Sequence, residues 1–244
     1  MPERTLKTLE RLVSKAGLGS RTQARKWIAA GRVSVNGHVV RDPDQWLDPE
    51  RARILFDGKP LGGDRKRYIL LYKPTGYLTT RRDPGGRPTV YDLIADLGQW
   101  VAPVGRLDQD TSGLLLLSSD TEFVERLTNP AYKAPKTYLV KAADVLSEEQ
   151  LERLRRGVEL KDGLTQPAEV KRLRDSARHT FFELTIREGR NRQVRRMVEA
   201  VGSHVLKLVR TGIGGLEISG LPIGKWRELT AAEIRALLRA TSRP

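Results

Sequence analysis

Residues 105–120, GRLDQDTSGLLLLSSD, set one acidic side chain, Asp108, just ahead of four consecutive leucines at positions 114–117. A short continuous apolar run of this kind reads as a buried strand. A carboxylate at the mouth of such a strand is a candidate for chemistry, and four readings of it compete. Asp108, Asp110, Ser112 and Gly113 mimic the first half of an EF-hand calcium loop. The position that should carry a bidentate glutamate is Ser119, however, and a chain of net charge +14 is a poor host for that ion. Aspartate is also common in tight turns and caps. Asp108 and Asp110 could serve as paired carboxylates, as in glycoside hydrolysis, although two loop acids two residues apart make a poor pair. The fourth reading is a single nucleophilic or basic carboxylate that an arginine holds ionised.

The fourth reading needs an arginine, and residues 187–196 contain five: Arg187, Arg190, Arg192, Arg195 and Arg196. On a helical wheel of about 100° per residue, Val194, Met197, Val198 and Val201 define a buried face. Arg195 lies at the margin of that face, where a side chain can reach inward to a semi-buried acid. Arg196 lies nearly opposite and Arg192 farther round, both available to phosphate. The plainer alternative is a solvated basic helix that only binds RNA. Residues 136–141, KTYLVK, read as a strand whose Tyr138 and Val140 share one face. Tyr138 offers an aromatic platform with a hydroxyl, or simply a half-buried packing residue.

These residues need a scaffold, and its parts are legible. Residues 68–72 form an apolar strand stopped by Lys73-Pro74. Further strands are expected over 158–160, 168–173, 180–186 and 205–209, and residues 101–104 lead into the 105–120 stretch. Helices are expected over 90–97, 121–128, 190–200 and 231–239, with another opening at the capping box Ser147–Gln150. Strands outnumber helices, which implies an α+β domain around a mixed, largely antiparallel sheet.

Ahead of it, residues 5–16 have helical apolar spacing, and Ser20 to Gln23 form a second capping box that opens another helix. Residues 33–40 read as strand, Asn36-Gly37 turn, strand, the strongest short hairpin signal. Residues 61–67 are glycine-rich and then basic, a linker. The division is therefore 1–64 and 65–244. The first 30 residues hold seven basic side chains against two acidic ones, and Arg21 and Arg25 share a helix face. The chain as a whole carries 44 Lys and Arg against 30 Asp and Glu, a balance that points to a polyanion, most often nucleic acid. It has no cysteine, so thiol chemistry is excluded, and its three histidines are scattered, which argues against a metal site. No apolar run spans a bilayer and no signal peptide opens the chain, so a cytoplasmic protein is expected.

The sequence LVSKAGLGSRTQARKWIAAGRVSVNGHVV resembles the small RNA-binding domain of ribosomal protein S4. The remaining motifs, YKPTGYLTTRRDPGGRPTVYDLI, GRLDQDTSGLLLLSSD, KTYLV and EGRNRQVRRMVEAVGSHVLKLVR, resemble the bacterial pseudouridine synthases of the RsuA/RluB group. That resemblance implies an isomerase that converts uridine in ribosomal RNA to pseudouridine, as a monomer, without cofactor or metal. It implies that Asp108 is the catalytic aspartate, that Tyr138 stacks on the target base, and that Arg195 pairs with Asp108. Arg106 would hold the extruded nucleotide or fill its place, Leu208 would line the pocket, and Arg190 and Arg192 would contact the substrate. In the S4-like domain, Ser20, Arg21, Arg25, Lys26 and Arg32 would contact RNA, mainly its phosphates. Residues 188–192 and 85–89 lean toward enzymes of 23S rRNA, with those of 16S rRNA as the alternative.

Overall fold

The computed structural model describes residues 6–61 and 65–241. The first elements are β1 (Lys7–Thr8), α1 (Leu9–Lys15), α2 (Arg21–Ala29), β2 (Val33–Val35), β3 (His38–Val39), β4 (Trp46–Leu47), β5 (Ile54–Phe56) and β6 (Lys59–Pro60). The Ser20 hydroxyl accepts from the Gln23 N–H, and the Gln23 side chain accepts from the Ser20 N–H, so the expected capping box starts α2. Asn36 and Gly37, at φ 50° and 89°, make the tight turn from β2 to β3. The strands order β3-β2-β5-β6, and Leu9, Val13, Ala24, Ile28, Val33 and Ile54 close a small core.

The first helix is shorter than its apolar spacing predicts. Lys7 and Thr8 pair instead with Leu47 and Trp46 of β4. The Leu9 and Glu10 N–H groups then donate to the Gln45 and Pro43 carbonyls at 2.8 and 3.0 Å. A segment far along the chain thus satisfies donors that a helix start leaves open. Residue 5, the expected start, lies outside the described residues.

The chain continues through β7 (Tyr68–Lys73), β8 (Ala102–Val104), β9 (Ser112–Ser118), α3 (Thr121–Thr128), β10 (Lys136–Ala142), α4 (Glu148–Arg156), β11 (Glu159–Leu160) and β12 (Gly163–Leu164). It ends with β13 (Glu169–Asp175), β14 (Thr180–Ile186), α5 (Gln193–Ala200), β15 (Val205–Ile213), β16 (Leu216–Glu217), β17 (Trp226–Glu228) and α6 (Ala231–Ala240). The main sheet orders β13-β14-β10-β15-β9-β7-β17, with β16 beside β15 and β8 beside β9. β10 runs antiparallel to β14 and β15, whereas β15 and β9 are parallel. This is the mixed, largely antiparallel α+β sheet that the strand pattern implies. Two compact units result: residues through Tyr68 with Asp96–Ala102 and Leu117–Glu122, and the remainder. The expected boundary at residue 64 lies outside the described residues. Among the described residues no helix is long and apolar enough to cross a membrane.

β9 is buried along all seven residues, as its leucine run requires. Gly113 in this strand lies against the backbone of Arg210 in β15. A Cβ built there would stand 2.2 Å from the Arg210 carbonyl oxygen, and the φ of 115° is itself one that side chains avoid. Val140, Phe182, Leu184, Met197 and Val198 belong to the core in which β10 and β14 meet α5. The helix expected over 90–97 is a 3-10 segment, Asp92–Leu97, interrupted at Ile94. Val90 and Tyr91 form a turn ahead of it, in which the Val90 N–H donates to the Leu78 carbonyl.

The last helix carries a pH-sensitive cap. Glu233 closes a capping box with Thr230 and accepts from both Arg227 Nη atoms at 2.7 and 2.9 Å. The Arg227 hydrogen bonds, helped by those of Thr230, outweigh burial and bring the Glu233 carboxyl from 4.5 down to about 2. A depressed carboxyl contributes stability that is fully present above its unfolded pKa and is lost as pH falls through its folded one. Glu233→Gln is therefore expected to cost roughly 1 kcal/mol at neutral pH. Thermal melts of the two proteins should converge as pH is lowered from 4.5 toward 2.

Candidate active site

The backbone around Asp108 is held from three sides. Lys73, at the end of β7, is fully buried. Its ammonium donates to the carbonyls of Pro74 (3.0 Å), Asp108 (3.0 Å) and Thr111 (2.8 Å). Three donors meet three acceptors, so the group is satisfied without a carboxylate. Burial pushes the Lys73 pKa down to about 8, against the opposing charges of Asp110 and Asp108. On one side of Asp108, the Thr79 hydroxyl donates to the Leu107 carbonyl at 2.8 Å and accepts from its N–H. On the other, Gly76 and Gln109 exchange two hydrogen bonds, one through the Gln109 side chain. The Thr111 N–H donates to the Asp108 carbonyl at 3.1 Å. The turn reading thus holds for the backbone, and the Asp108 side chain remains about one third exposed.

The arginines are arranged differently from the expected Arg195–Asp108 pair. Arg195 is buried, as the helical wheel implies, but its Nη2 meets Asp110, donating to the carbonyl at 2.9 Å and lying 3.2 Å from the carboxylate. Arg192 also donates to both Asp110 carboxylate oxygens, at 3.2 and 3.0 Å, and lies 3.7 Å from Asp108 Oδ2. The cause is local. α5 begins at Gln193 rather than 190, and Arg192 sits at its N-cap with φ 47°, off the helical wheel. Burial raises the Asp110 pKa, but the Arg192 hydrogen bond and the Arg195 and Arg192 charges prevail and hold it below the usual range. Asp110 is therefore an ionised clamp joining the aspartate loop to α5, and this engagement with arginine also removes the calcium-loop reading.

Arg190, expected to contact substrate, is occupied by the protein. It donates to the Asp162, Gly163 and Leu164 carbonyls at 3.2, 2.7 and 2.6 Å and to Glu188 at 3.1 Å. It staples the β11–β12 turn to the wall of the site. Arg196 pairs with Asp162 at 2.8 Å.

A cavity of about 350 Å³ opens above this arrangement, of the size that holds a small ligand. Asp108, Tyr138, Arg195, Arg106, Leu208, Arg190 and Arg192 all line it. Tyr138 projects from β10 on the same face as Val140, as strand alternation requires, and Leu208 lies opposite Val140 on β15. Arg106 is exposed at the rim. The cavity combines one carboxylate, one aromatic face, apolar walls from Ile186, Val194 and Leu208, and a cationic rim. It suits a planar base carried on an anionic backbone.

Four features escaped the sequence pattern: Lys73, Arg210, Lys136 and the arginine partners of Asp110. A signal existed for two. Lys136 stands two residues before Tyr138 and so shares its face, and Lys73 continues an otherwise buried strand. For Asp110 and Arg210 the partners are distant in sequence and left no local mark.

The expected RNA contacts of the N-terminal segment are partly engaged. Ser20 caps α2. Arg21 and Arg25 share a face, but that face is built around the buried Glu10, which pairs with both. A buried carboxylate requires such partners. Arg25 also pairs with Asp44 at 2.6 Å, and Arg32 pairs with Asp57 while lying over the Phe56 ring at 4.6 Å. Lys26 is exposed. Arg21 keeps 68% of its side chain exposed, so the pairing leaves it an open edge.

The RNA pseudouridylate synthase profile matches residues 67–200, and the S4 domain profile matches residues 8–50. An uncharacterized RNA pseudouridine synthase of Aquifex aeolicus (strain VF5) is 42% identical over 95% of this chain and 94% of its own length. The ribosomal large subunit pseudouridine synthase B of Bacillus subtilis (strain 168) is 41% identical over 95% of this chain and 96% of its own. A crystal structure of a pseudouridylate synthase superposes with a TM-score of 0.68 at 33% identity, covering 94% of this chain and 99% of that one.

Proposed function

The chain belongs to the RNA pseudouridylate synthase family, and from that membership we propose that it isomerises one uridine of 23S ribosomal RNA to pseudouridine. The reaction breaks the C1′–N1 glycosidic bond, turns the uracil, forms a C1′–C5 bond, and moves one proton from C5 to N1. Nothing is oxidised or reduced. The base must leave its stack and enter a pocket.

The observation that carries this reading is one cavity lined by both the Asp108 carboxylate and the Tyr138 ring. Asp108 acts at the glycosidic bond, and Tyr138 stacks on the uracil, a contact worth roughly 1–3 kcal/mol. Arg195 is a positioning residue that acts through Asp110. Arg192 supports Asp108 directly, Arg106 meets the nucleotide at the rim, and Leu208 packs against the base. Residues 1–64 anchor RNA, with Lys26 and the open edges of Arg21, Arg25 and Arg32 on its phosphates, and residues 65–244 carry out the chemistry. The protein works as a single chain in the cytoplasm.

Large-subunit RNA is favoured because the Bacillus subtilis relative named for that substrate matches along nearly its whole length. The test is to incubate the purified protein with 23S and 16S rRNA transcripts and map pseudouridine in each. Conversion of one 23S uridine is expected. Conversion confined to 16S rRNA would overturn the choice of subunit, and no conversion in either would overturn the activity on rRNA.

A further inference from the structure

A second cavity, of about 180 Å³, shares Arg106, Tyr138 and Arg190 with the first. It is smaller than sites for whole ligands, which run to roughly 300–1,000 Å³, and suits a single chemical group. Its chemistry is one-sided. Lys136 lies two residues before Tyr138 on β10, and Arg210 lies opposite Tyr138 on β15, so the three side chains emerge from one face of the sheet.

Arg210 is 2% exposed. Its Nε donates to the Leu114 carbonyl at 2.8 Å, and its buried Nη2 has no partner among the described residues. The Lys136 ammonium donates to the Ala134 carbonyl at 3.1 Å, which occupies one of its three donors. Burial, with the Arg210 charge second, lowers the Lys136 pKa to about 8. The acid on the cavity wall is Glu188, and it is already engaged by Arg190, Gln193 and the Gln166 N–H. Two desolvated cations side by side, with hydrogen-bond donors left over, suit an anionic group.

We propose that this cavity is a phosphate subsite, in which Lys136 and Arg210 bind the RNA phosphodiester flanking the extruded uridine. The assignment rests on the proposed RNA pseudouridine synthase activity and adds how the nucleotide is gripped. A phosphodiester is ionised at every working pH and accepts hydrogen bonds without donating any, which matches a wall of donors. Held there, the backbone beside the target is fixed while the uracil turns above Tyr138.

The test uses the full chain and an rRNA fragment containing the mapped uridine. One phosphodiester, on its 5′ or its 3′ side, is replaced by a neutral methylphosphonate. One of the two replacements is expected to raise KM for the unmodified protein roughly tenfold, the scale of losing a charge-assisted hydrogen bond. Lys136→Met should raise KM for natural RNA similarly, Lys136→Arg should restore most of it, and the neutral linkage should have no further effect on Lys136→Met. If the two effects multiply, or if neither neutral linkage raises KM, the subsite is overturned while the activity stands. A free phosphate ion as the true ligand would give that second outcome. Should Lys136→Met fail to fold, the methylphosphonate series on the unmodified protein decides alone. If the unmodified protein does not convert natural RNA, the parent activity falls, and the subsite falls with it.

Discussion

Asp108→Asn is expected to reduce pseudouridine formation on the order of 10⁴-fold or more while the protein stays folded and keeps its RNA affinity. The exchange preserves size and shape. It leaves the Asp108 carbonyl in place to accept from Lys73 and from the Thr111 N–H. The contact it alters is the 3.7 Å approach of Arg192, between side chains that are both substantially exposed. Such pairs contribute about 0–1 kcal/mol, too little to unfold the domain. What disappears is the charge proposed to act at the glycosidic bond. A single-turnover assay on the mapped uridine, run beside a filter-binding titration and a thermal melt, separates the two effects. Undiminished turnover would mean that Asp108 does not carry the chemistry and that another group acts at the glycosidic bond.

Lys73→Met is expected to have the second-largest effect, and it acts at a distance from the substrate. Three carbonyls lose their shared donor; that of Asp108 keeps the Thr111 N–H, and leaving the other two unpaired costs about 1–3 kcal/mol each. Relief of the buried charge offsets part of that. A net loss of about 3 kcal/mol in urea unfolding is expected, since each carbonyl is fixed by strand or turn geometry and cannot turn to water. Below the melting range, kcat should fall roughly 100-fold, because displacement of a reacting group by about 1 Å has that consequence. Lys73→Arg should not rescue it. A planar guanidinium cannot aim three donors at the corners of the tripod that an ammonium fits. If Lys73→Met keeps both its urea midpoint and its kcat, the tripod does not position Asp108.

Much of this arrangement could be read in the residues themselves, and the parts that could not share a cause. The leucine run of β9, the alternation that points Tyr138 inward, and the capping boxes at Ser20 and Ser147 are local signals written within a few residues. The helical wheel placed Arg195 at the buried margin correctly. It could not say which of two carboxylates two residues apart would meet that arginine, since the choice depends on how the loop of β9 is tied to Lys73, Thr79 and Gly76. The staple that Arg190 makes is illegible for a related reason. Its acceptors are backbone carbonyls of a turn, and carbonyls carry no residue type. Arg21 and Arg25 were correctly placed on one face, but Glu10, the group that organises them, came from the preceding helix.

The parallel pairing of β9 with β15 also sets an order of events during synthesis. Gly113 meets Arg210, far along the chain, and no local hairpin can make a parallel pair. Contacts so distant along the chain form late, after the entropy of closing the intervening loop has been overcome. Until β15 has left the ribosome and docked, Asp108 stands on a loop ahead of a strand that has no Leu208 or Arg210 beside it. A nascent chain therefore remains catalytically silent even with its basic N-terminal segment exposed next to ribosomal RNA. Activity begins only once β15 has been made and has docked.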